Sequence, residues 1–432
     1  MKSLRLRGVI AVALISWITC AGVMAQTAVK LTLSEAEDIA VKNQPQLAAA
    51  QLTARAAEMV QTEVGSSRLP IFSAGISGAD ASKDARIGAG GLNNPLILSR
   101  GATGVTINQL LFDFGRINSL VKSARYSAEA FQQTAEATRE RVLLQVDSAY
   151  FVALRAQAVL KVAEQTIAAR QAVADQVEAL RASGLKSGLD VSVANYNVAE
   201  AKLLRAKSDN DVKAAFADLS AALGSQEEQT FDLAEESLPT IDLPDQSELI
   251  KEALSKRPDL HALQFARDAA YQNVKAEKML KLPSVSALWS AGWVPFGDSS
   301  RIPNTYNAAG FSISIPIFNG RLYKAREAEA EFKARAVEQN LKDAENRVTR
   351  DVRIAWLSLN TAYERIGLSA QLLSKAREAL DLAQERYNLG LSSIVELSQA
   401  QLNVTIAEIE SANAKYEYQL QRAILKYQTA SQ

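Results

Sequence analysis

From Arg116 to Ser183 the chain runs for 68 residues without a proline or a glycine, and Gly115 and Gly184 bracket the run. The stretch is rich in Ala, Leu, Gln, Glu and Arg, all strong helix formers. At 1.5 Å per residue a continuous helix here reaches roughly 100 Å, far more than a compact globular core needs. Apolar and alanine positions recur along it at spacings of three and four: Ile117, Leu120, Ala124, Ala128, Phe131 and Ala135, then Val142, Val146, Ala149, Ala153 and Leu160. So narrow a stripe seeks partner helices in a coiled coil.

Punctuation is sparse elsewhere too, with 20 Gly and 10 Pro in 432 residues, too little for the three ordinary domains that length alone suggests. Basic and acidic side chains balance at 48 each, and no Lys/Arg block with interleaved aromatics points to nucleic acid. Lys2, Arg5 and Arg7 precede an apolar run from Gly8 to Met24, which predicts a secretory leader over residues 1–25, cut after Ala25. No later segment approaches the roughly 18 apolar residues of a membrane-spanning helix. Cys20 is the only cysteine, so a mature chain has neither a disulfide nor a thiolate site. Lipidation at Cys20 calls for a Leu-like residue three positions earlier and a small one just before it; Trp17 and Thr19 stand there.

Taken in order, Leu33-Ser34-Glu35-Ala36 opens a helical pattern with Ser34 as N-cap, broken near Pro45 and running to about Arg68. Alternating segments follow from Pro70 and over Ala102 to Phe112, separated by a glycine-rich loop at 80–101. After the long helix, Gly184 to Asp190 form a turn, and a return helix extends from about Asp190 to Leu223. Residues 225–245 carry seven acidic side chains and no basic one, with Pro239 and Pro244, and read as a linker.

Then the plan repeats. Ser34, Pro45 and Pro70 recur as Ser247, Pro258 and Pro283, each displaced by 213. Gly104, Thr106, Ile107 and Phe112 recur as Gly310, Ser312, Ile313 and Phe318, displaced by 206, as do Val146, Ala149 and Tyr150 onto Val352, Ala355 and Trp356. The same 206 carries Gly184, Leu185 and Ser187 onto Gly390, Leu391 and Ser393. The offset changes in the loop between paired strands, where length is least constrained. Residues 26–224 and 246–432 are therefore tandem copies of helix, strand, loop, strand, very long helix, turn, helix.

Each copy offers strands with one polar face (Thr106, Asn108; Ser312, Ser314) and one apolar face (Val105, Ile107; Phe311, Ile313, Ile315, Ile317), with Trp289 and Trp293 at alternate positions of the third strand. That alternation is the signature of a membrane β-barrel, but four strands cannot close one, and open edges do not occur in lipid. If these strands span a membrane, several chains must share one barrel. A soluble secreted coiled-coil scaffold explains the helices and the duplication equally well; it leaves the apolar strand face uncovered.

The duplicated plan, the corners Leu111-Phe112-Asp113-Phe114-Gly115-Arg116 and Pro316-Ile317-Phe318-Asn319-Gly320-Arg321, and the turns at Gly184 and Gly390 resemble the TolC-like outer-membrane efflux proteins across about residues 30–430. The resemblance implies a mainly α fold with a membrane β part: a homotrimer whose three chains give a 12-stranded β-barrel in the outer membrane and a 12-helix tunnel in the periplasm, without a cofactor. It implies an exit duct for a tripartite efflux or type I secretion system, docked to a periplasmic adaptor and an inner-membrane pump of RND or ABC type. Loops 80–101 and 294–308 then face outside, Trp289 and Trp293 form an aromatic belt against lipid, and Phe112, Gly115, Pro316, Phe318 and Gly320 make the strand-to-helix junctions. The turns Gly184, Leu185, Ser187, Gly390, Leu391 and Ser393 meet the adaptor. A gate at that end uses Tyr387, with Asp190 as its acidic partner, and Glu396 as an acidic ring position. The family's basic member of that link falls at Ser392, which is not basic, and Gln399 takes the place of a second acidic ring position.

Read physically, a carboxylate ring in a narrow pore favours cations, yet Asp190 and Glu396 each begin a return helix, where the helix dipole alone favours acids. No catalytic constellation appears. Asp113-Phe114-Gly115 spells a kinase-like tripeptide without a phosphate loop, and His261, the sole histidine, lacks neighbours for a metal. Gly88, Gly90 and Gly91 lack the flanking strand and helix of a phosphate site. Cargo is not legible, because a shared tunnel touches it only through generic polar walls.

Overall fold

The structure is a computed structural model and describes residues 29–82, 98–227, 229–235, 245–297 and 303–430. The leader reading at residues 1–25, Cys20 and most of the loop at 80–101 lie outside them. Each copy begins with a short helix and a longer one, α1 (Leu33–Asn43) with α2 (Pro45–Ser66), and α5 (Gln246–Lys256) with α6 (Pro258–Met279). The N-cap of α1 is Thr32 rather than Ser34: the Thr32 hydroxyl accepts from the Glu35 amide while the Glu35 carboxylate accepts from the Thr32 amide. Thr32-x-x-Glu35 is a capping box, which satisfies two donors where Ser34 could satisfy only one.

The run without Gly or Pro is one 67-residue helix, α3 (Arg116–Ala182), and its copy α7 (Leu322–Asn388) has the same length. Return helices α4 (Gly188–Ala222) and α8 (Ile394–Thr429) complete two helical hairpins. On α7 the buried positions Ala334, Leu341, Val348, Ala355, Ala362, Ser369, Ala376 and Ala383 recur at intervals of seven. A straight helix drifts about 20° per heptad against such a pattern, so burial of this seam imposes a left-handed supercoil. The helix contacts give a wall with the order α4, α3, α8, α7 along the hairpins, and α2, α3, α6, α7 above them. Both turns end in a left-handed glycine, Gly184 and Gly390 at φ +74°, and Leu185 N and Leu391 N donate back to the Leu180 and Arg386 carbonyls at 2.9 and 2.8 Å. These are Schellman endings, which only a residue tolerant of positive φ makes without strain.

Strands β2 (Ile71–Ala79), β3 (Arg100–Phe112), β5 (Ser284–Gly297) and β6 (Thr305–Ser314) form one antiparallel sheet in the order β2-β3-β5-β6, so the two copies join through β3 and β5. β5 reaches Gly297 and β6 begins at Thr305, which shortens the expected loop at 294–308 from both sides. At each strand-to-helix corner two consecutive residues take positive φ, Phe114–Gly115 and Gly320–Arg321, again 206 apart. In the first corner the Asp113 carboxylate accepts from Gly115 N (3.0 Å) and Ile117 N (2.7 Å), which fixes the tripeptide as a helix start.

The stretch at 225–245 is more than a linker. Its residues Phe231–Leu233 form β4, which pairs in parallel with β1 (Val29–Leu31). Phe231 and Leu233 face the main core with Val142, Val146, Phe216 and Leu219. The Tyr150 hydroxyl lies 2.9 Å from the Leu31 carbonyl and 2.8 Å from that of Ala234, which ties both strands to the middle of α3. Tyr150→Phe is expected to cost about 1–3 kcal/mol locally, read by mass spectrometry as faster amide exchange in β1 and β4 with α3 unchanged. Unchanged exchange there would contradict this role.

Candidate functional site

Two regions carry the sequence-derived site residues: the faces of the sheet and the tips of the helical hairpins. The registers sort the strand residues onto two faces. On the more apolar one lie Phe72, Ile107, Trp289 and Ala309 in one row, Ala74, Val105, Ala291 and Asn307 in the next, and Ile76, Thr103, Trp293 and Thr305 beyond. On the other face a row of Ser73, Thr106, Ser290 and Ala308 is followed by Ile71, Asn108, Leu288 and Gly310 and then by Leu110, Ser286 and Ser312, and the Ser73 and Thr106 hydroxyls lie 3.1 Å apart. β2 and β6 are exposed at every position, and among the described residues nothing pairs with their outer edges. β3 and β5, of 13 and 14 residues, are long enough to cross a hydrocarbon layer even at the tilt of barrel strands. Trp289 and Trp293 share the apolar face but stand four residues apart, about 13 Å along the strand. Phe318 and Ile317 beneath β6 are 87% and 94% exposed, beside Pro316 in a segment outside the ladder, and Phe112 is exposed at the corresponding corner.

At the tips, Tyr387 is fully buried in a cluster of Ala174, Val177, Val191, Ala194, Val198, Ile394 and Leu397, most of which belong to the other hairpin. Its hydroxyl has no hydrogen-bond partner among the described residues, and burial, then the Asp190 charge, pushes its pKa up. Asp190 instead completes the capping box of α4, whose N-cap is Ser187: it accepts from Ser187 Oγ (2.7 Å) and Ser187 N (2.9 Å), and Asp190 N donates to Ser187 Oγ. The structure therefore does not join Asp190 to Tyr387 by a hydrogen bond. What it brings to Tyr387 is Lys186, whose Nζ stands 4.0 Å from the ring centroid. This cation crosses between hairpins, so a basic group does meet Tyr387 although Ser392 supplies none; the Ser392 hydroxyl is buried without a partner. Further contacts tie the hairpins: Asn197 Nδ2 to Ser398 Oγ (2.6 Å), Gln176 Nε2 to Asn388 Oδ1 (3.3 Å) and, higher up, the Thr166 and Thr405 hydroxyls 3.3 Å apart.

Glu396 stands in the first turn of α8, where its amide donates to Ser393 Oγ, and its carboxylate accepts from Arg386 Nε at 3.1 Å. It is thus paired within its own hairpin. Sequence reasoning missed both cations, because nothing local marks Lys186, itself in the turn, as facing the other hairpin, or Arg386 as facing Glu396. It also missed Arg170, a buried guanidinium that donates to Glu200 (2.5 Å) and to the Asn197 carbonyl. Leu185 and Leu391, 70% and 67% exposed, leave apolar groups at the outermost turns beside Gly184 and Gly390. Among the described residues no group of His, Cys, Asp and Glu is placed to hold a metal, and no helix is long and apolar enough to cross a membrane.

A sheet with one apolar face, set on two long helical hairpins and duplicated throughout, can now be compared with known proteins. The family model for outer membrane efflux proteins matches residues 38–225 and 249–428. The chain belongs to that family. The outer membrane protein TolC of Salmonella enteritidis is 23% identical over 414 residues, covering 92% of this chain and 82% of that protein. SrpC, a solvent efflux pump outer membrane protein of Pseudomonas putida, is 26% identical over 306 residues, 67% and 62% of the two chains. Among solved structures, the CmeC outer membrane channel of Campylobacter jejuni superposes with a TM-score of 0.81 at 18% identity, covering 92% of this chain and 85% of that one. The open state of the MtrE channel of Neisseria gonorrhoeae gives 0.75 at 21% identity, with coverage of 92% and 88%. The chain is accordingly an outer-membrane protein with its long helices in the periplasm, and its relatives are efflux channels. The alternative of a soluble secreted scaffold falls with this assignment.

The pairing at Asp190 has a pH signature. Its hydrogen bonds from Ser187, side chain first and backbone second, hold its carboxyl below the ordinary value of 3.8. A carboxylate depressed on folding stabilises above its unfolded pKa and loses that contribution as pH falls through the folded one. Amide exchange at residues 188–192, corrected for intrinsic rate, is therefore expected to stay slow down to that region and to quicken below it. Asp190→Asn should fray the same turn at every pH. A wild-type profile as flat as the variant's would refute the cap.

Proposed function

We propose that this chain forms a homotrimeric outer-membrane exit duct, passive in itself, that conducts cargo across periplasm and outer membrane after a periplasmic adaptor and an inner-membrane pump dock at its hairpin tips. The observation that carries this reading is the agreement between open edges in both layers. In the sheet the edge strands, each without an outer partner among the described residues, are β2 and β6. In the helical wall the flanking helices are α4 and α7, and each leaves an uncovered apolar stripe: Leu189, Tyr196 and Leu203 at intervals of seven on α4, and Ile354, Leu368 and Leu382 at intervals of fourteen on α7. Complementary stripes on opposite flanks make a head-to-tail contact, which closes into a ring. Two copies would give an eight-stranded barrel filled by its own side chains, whereas three give twelve strands around a wider bore. The apolar face with Trp289 and Trp293 then meets lipid, the hydroxyl-bearing face lines the bore, and every strand edge is paired.

The tips form a resting closure. The Tyr387 ring, clamped in the neighbouring hairpin under Lys186, is its bolt, with Asp190 and Glu396 placed by capping and by Arg386. A cation over an aromatic face contributes about 0.5–2 kcal/mol, weak enough for a docking partner to break. The exposed turns at Gly184, Leu185 and Ser187, and at Gly390, Leu391 and Ser393, suit contact with the adaptor.

Electron microscopy of the protein extracted in detergent tests the assembly: a threefold tube about 140 Å long is expected from roughly 100 Å of helix plus the strands. A monomer or dimer that stays soluble without detergent would refute it. The closure is tested by conductance in planar bilayers. Lys186→Gln and Tyr387→Ala are expected to raise the open fraction, while Tyr387→Phe, which removes only an unpartnered hydroxyl, leaves it unchanged. A large effect of Tyr387→Phe would restore a hydrogen-bonded latch instead.

A further inference from the structure

One row of the hydroxyl-bearing sheet face differs from its neighbours. Across the four strands it reads Gly75, Gly104, Gly292 and Tyr306. The Tyr306 ring does not stand up from β6; it lies back along the row. A Cβ added to Gly292 would come 2.5 Å from Tyr306 Cζ, one added to Gly104 would come 3.0 Å from the same atom, and both would overlap the hydroxyl. Either position therefore has room for the ring only because it carries no side chain. One side of the ring remains open, with the residue 38% exposed. The surrounding wall is low: Ser73, Thr106, Ser290, Ala308 and Ser312 are all small.

We propose that Gly104 and Gly292 form a recess that stows the Tyr306 ring against the wall and so keeps this side chain out of the barrel bore, which would narrow if the recess were filled. The inference rests on the reading that this face lines a bore. In a threefold assembly each chain contributes one such ring at the same height, so three rings raised together narrow the passage far more than one. Glycine in a strand weakens it and lacks a side chain to pack; an aromatic folded over strand glycines restores that packing, as in aromatic rescue. Here the same contact keeps the bulkiest group of the row out of the solute path. Tyr306 lies near the outer end of β6, immediately after Thr305 and the loop, so the stowed rings guard the outward end of the bore.

The test uses a cysteine placed deeper on the same face. Ser312→Cys lies six residues further along β6, about 20 Å inward, and the parent without it reports background, Cys20 being the chain's only cysteine. Whole cells are treated from outside with maleimides of graded size, from N-ethylmaleimide to polyethylene-glycol maleimide. In the Ser312→Cys background, Gly104→Ala is expected to slow the large reagent several-fold, to spare the small one, and to be rescued by adding Tyr306→Ala. Because the Ala291 carbonyl would also lie 2.8 Å from a Cβ at Gly104, Tyr306→Trp is the second variant: it leaves the backbone alone, overfills the recess, and is expected to slow the large reagent likewise. Tyr306→Ala alone should leave the rate where it was. A faster rate in Tyr306→Ala, or no slowing in either Gly104→Ala or Tyr306→Trp, overturns the recess while the bore stands. Failure of even N-ethylmaleimide to reach Ser312→Cys overturns the bore reading, and this inference with it.

Discussion

Close approach along α3 holds the two copies together. Its buried positions include Ala128, Ala135, Ala153, Ala163 and Ala174, and it touches α1, α2 and α4 of its own copy and α6 and α8 of the other. Alanine ends at Cβ, so partner helices can come near enough for many weak dispersion contacts along a very long line. Helix propensity alone does not specify such a wall; the packing of narrow stripes does. The sheet inherits its position from the same helix. β3 passes into α3 through the Asp113 cap and the Phe114–Gly115 corner, so the placement of α3 against α6 also sets β3 beside β5.

Both layers thus end in the same way. The first copy presents β2 and α4 at one flank, and the second presents β6 and α7 at the other. Edges that an isolated soluble protein would blunt with charge or proline are here left flat, and the exposed apolar residues fall seven apart on α4 and fourteen apart on α7. Agreement between sheet pairing, helix periodicity and face polarity is what a sequence selected for one closed assembly should display.

Much of this was legible in the sequence because the signals are long. A helix of 67 residues announces itself by the absence of Gly and Pro, and a repeat survives at fixed offset even where residues differ, as at Phe114–Gly115 and Gly320–Arg321. Short or non-local features were not legible. β4 spans three residues, too few for any period, and is held by β1 202 positions away. Lys186 and Tyr387 lie 201 positions apart and meet only because two turns come to one level. Ser34 was the expected cap because it stands nearest the apolar run, while the reciprocal pair Thr32 and Glu35 won. Tyr306 gave no local sign at all: its glycine partners are neighbours only once the strand registers are known.

The joint between β3 and β5 bears on how the chain reaches its form. The pairs β2–β3 and β5–β6, and the two helical hairpins, each link neighbouring segments, whereas Thr103 and Trp293 pair across 190 positions. Contacts of that separation are slow to form by chance. Packing of α3 on α6 holds the ends of β3 and β5 at one place, so the helical layer fixes the register of the strands that lead into and out of it.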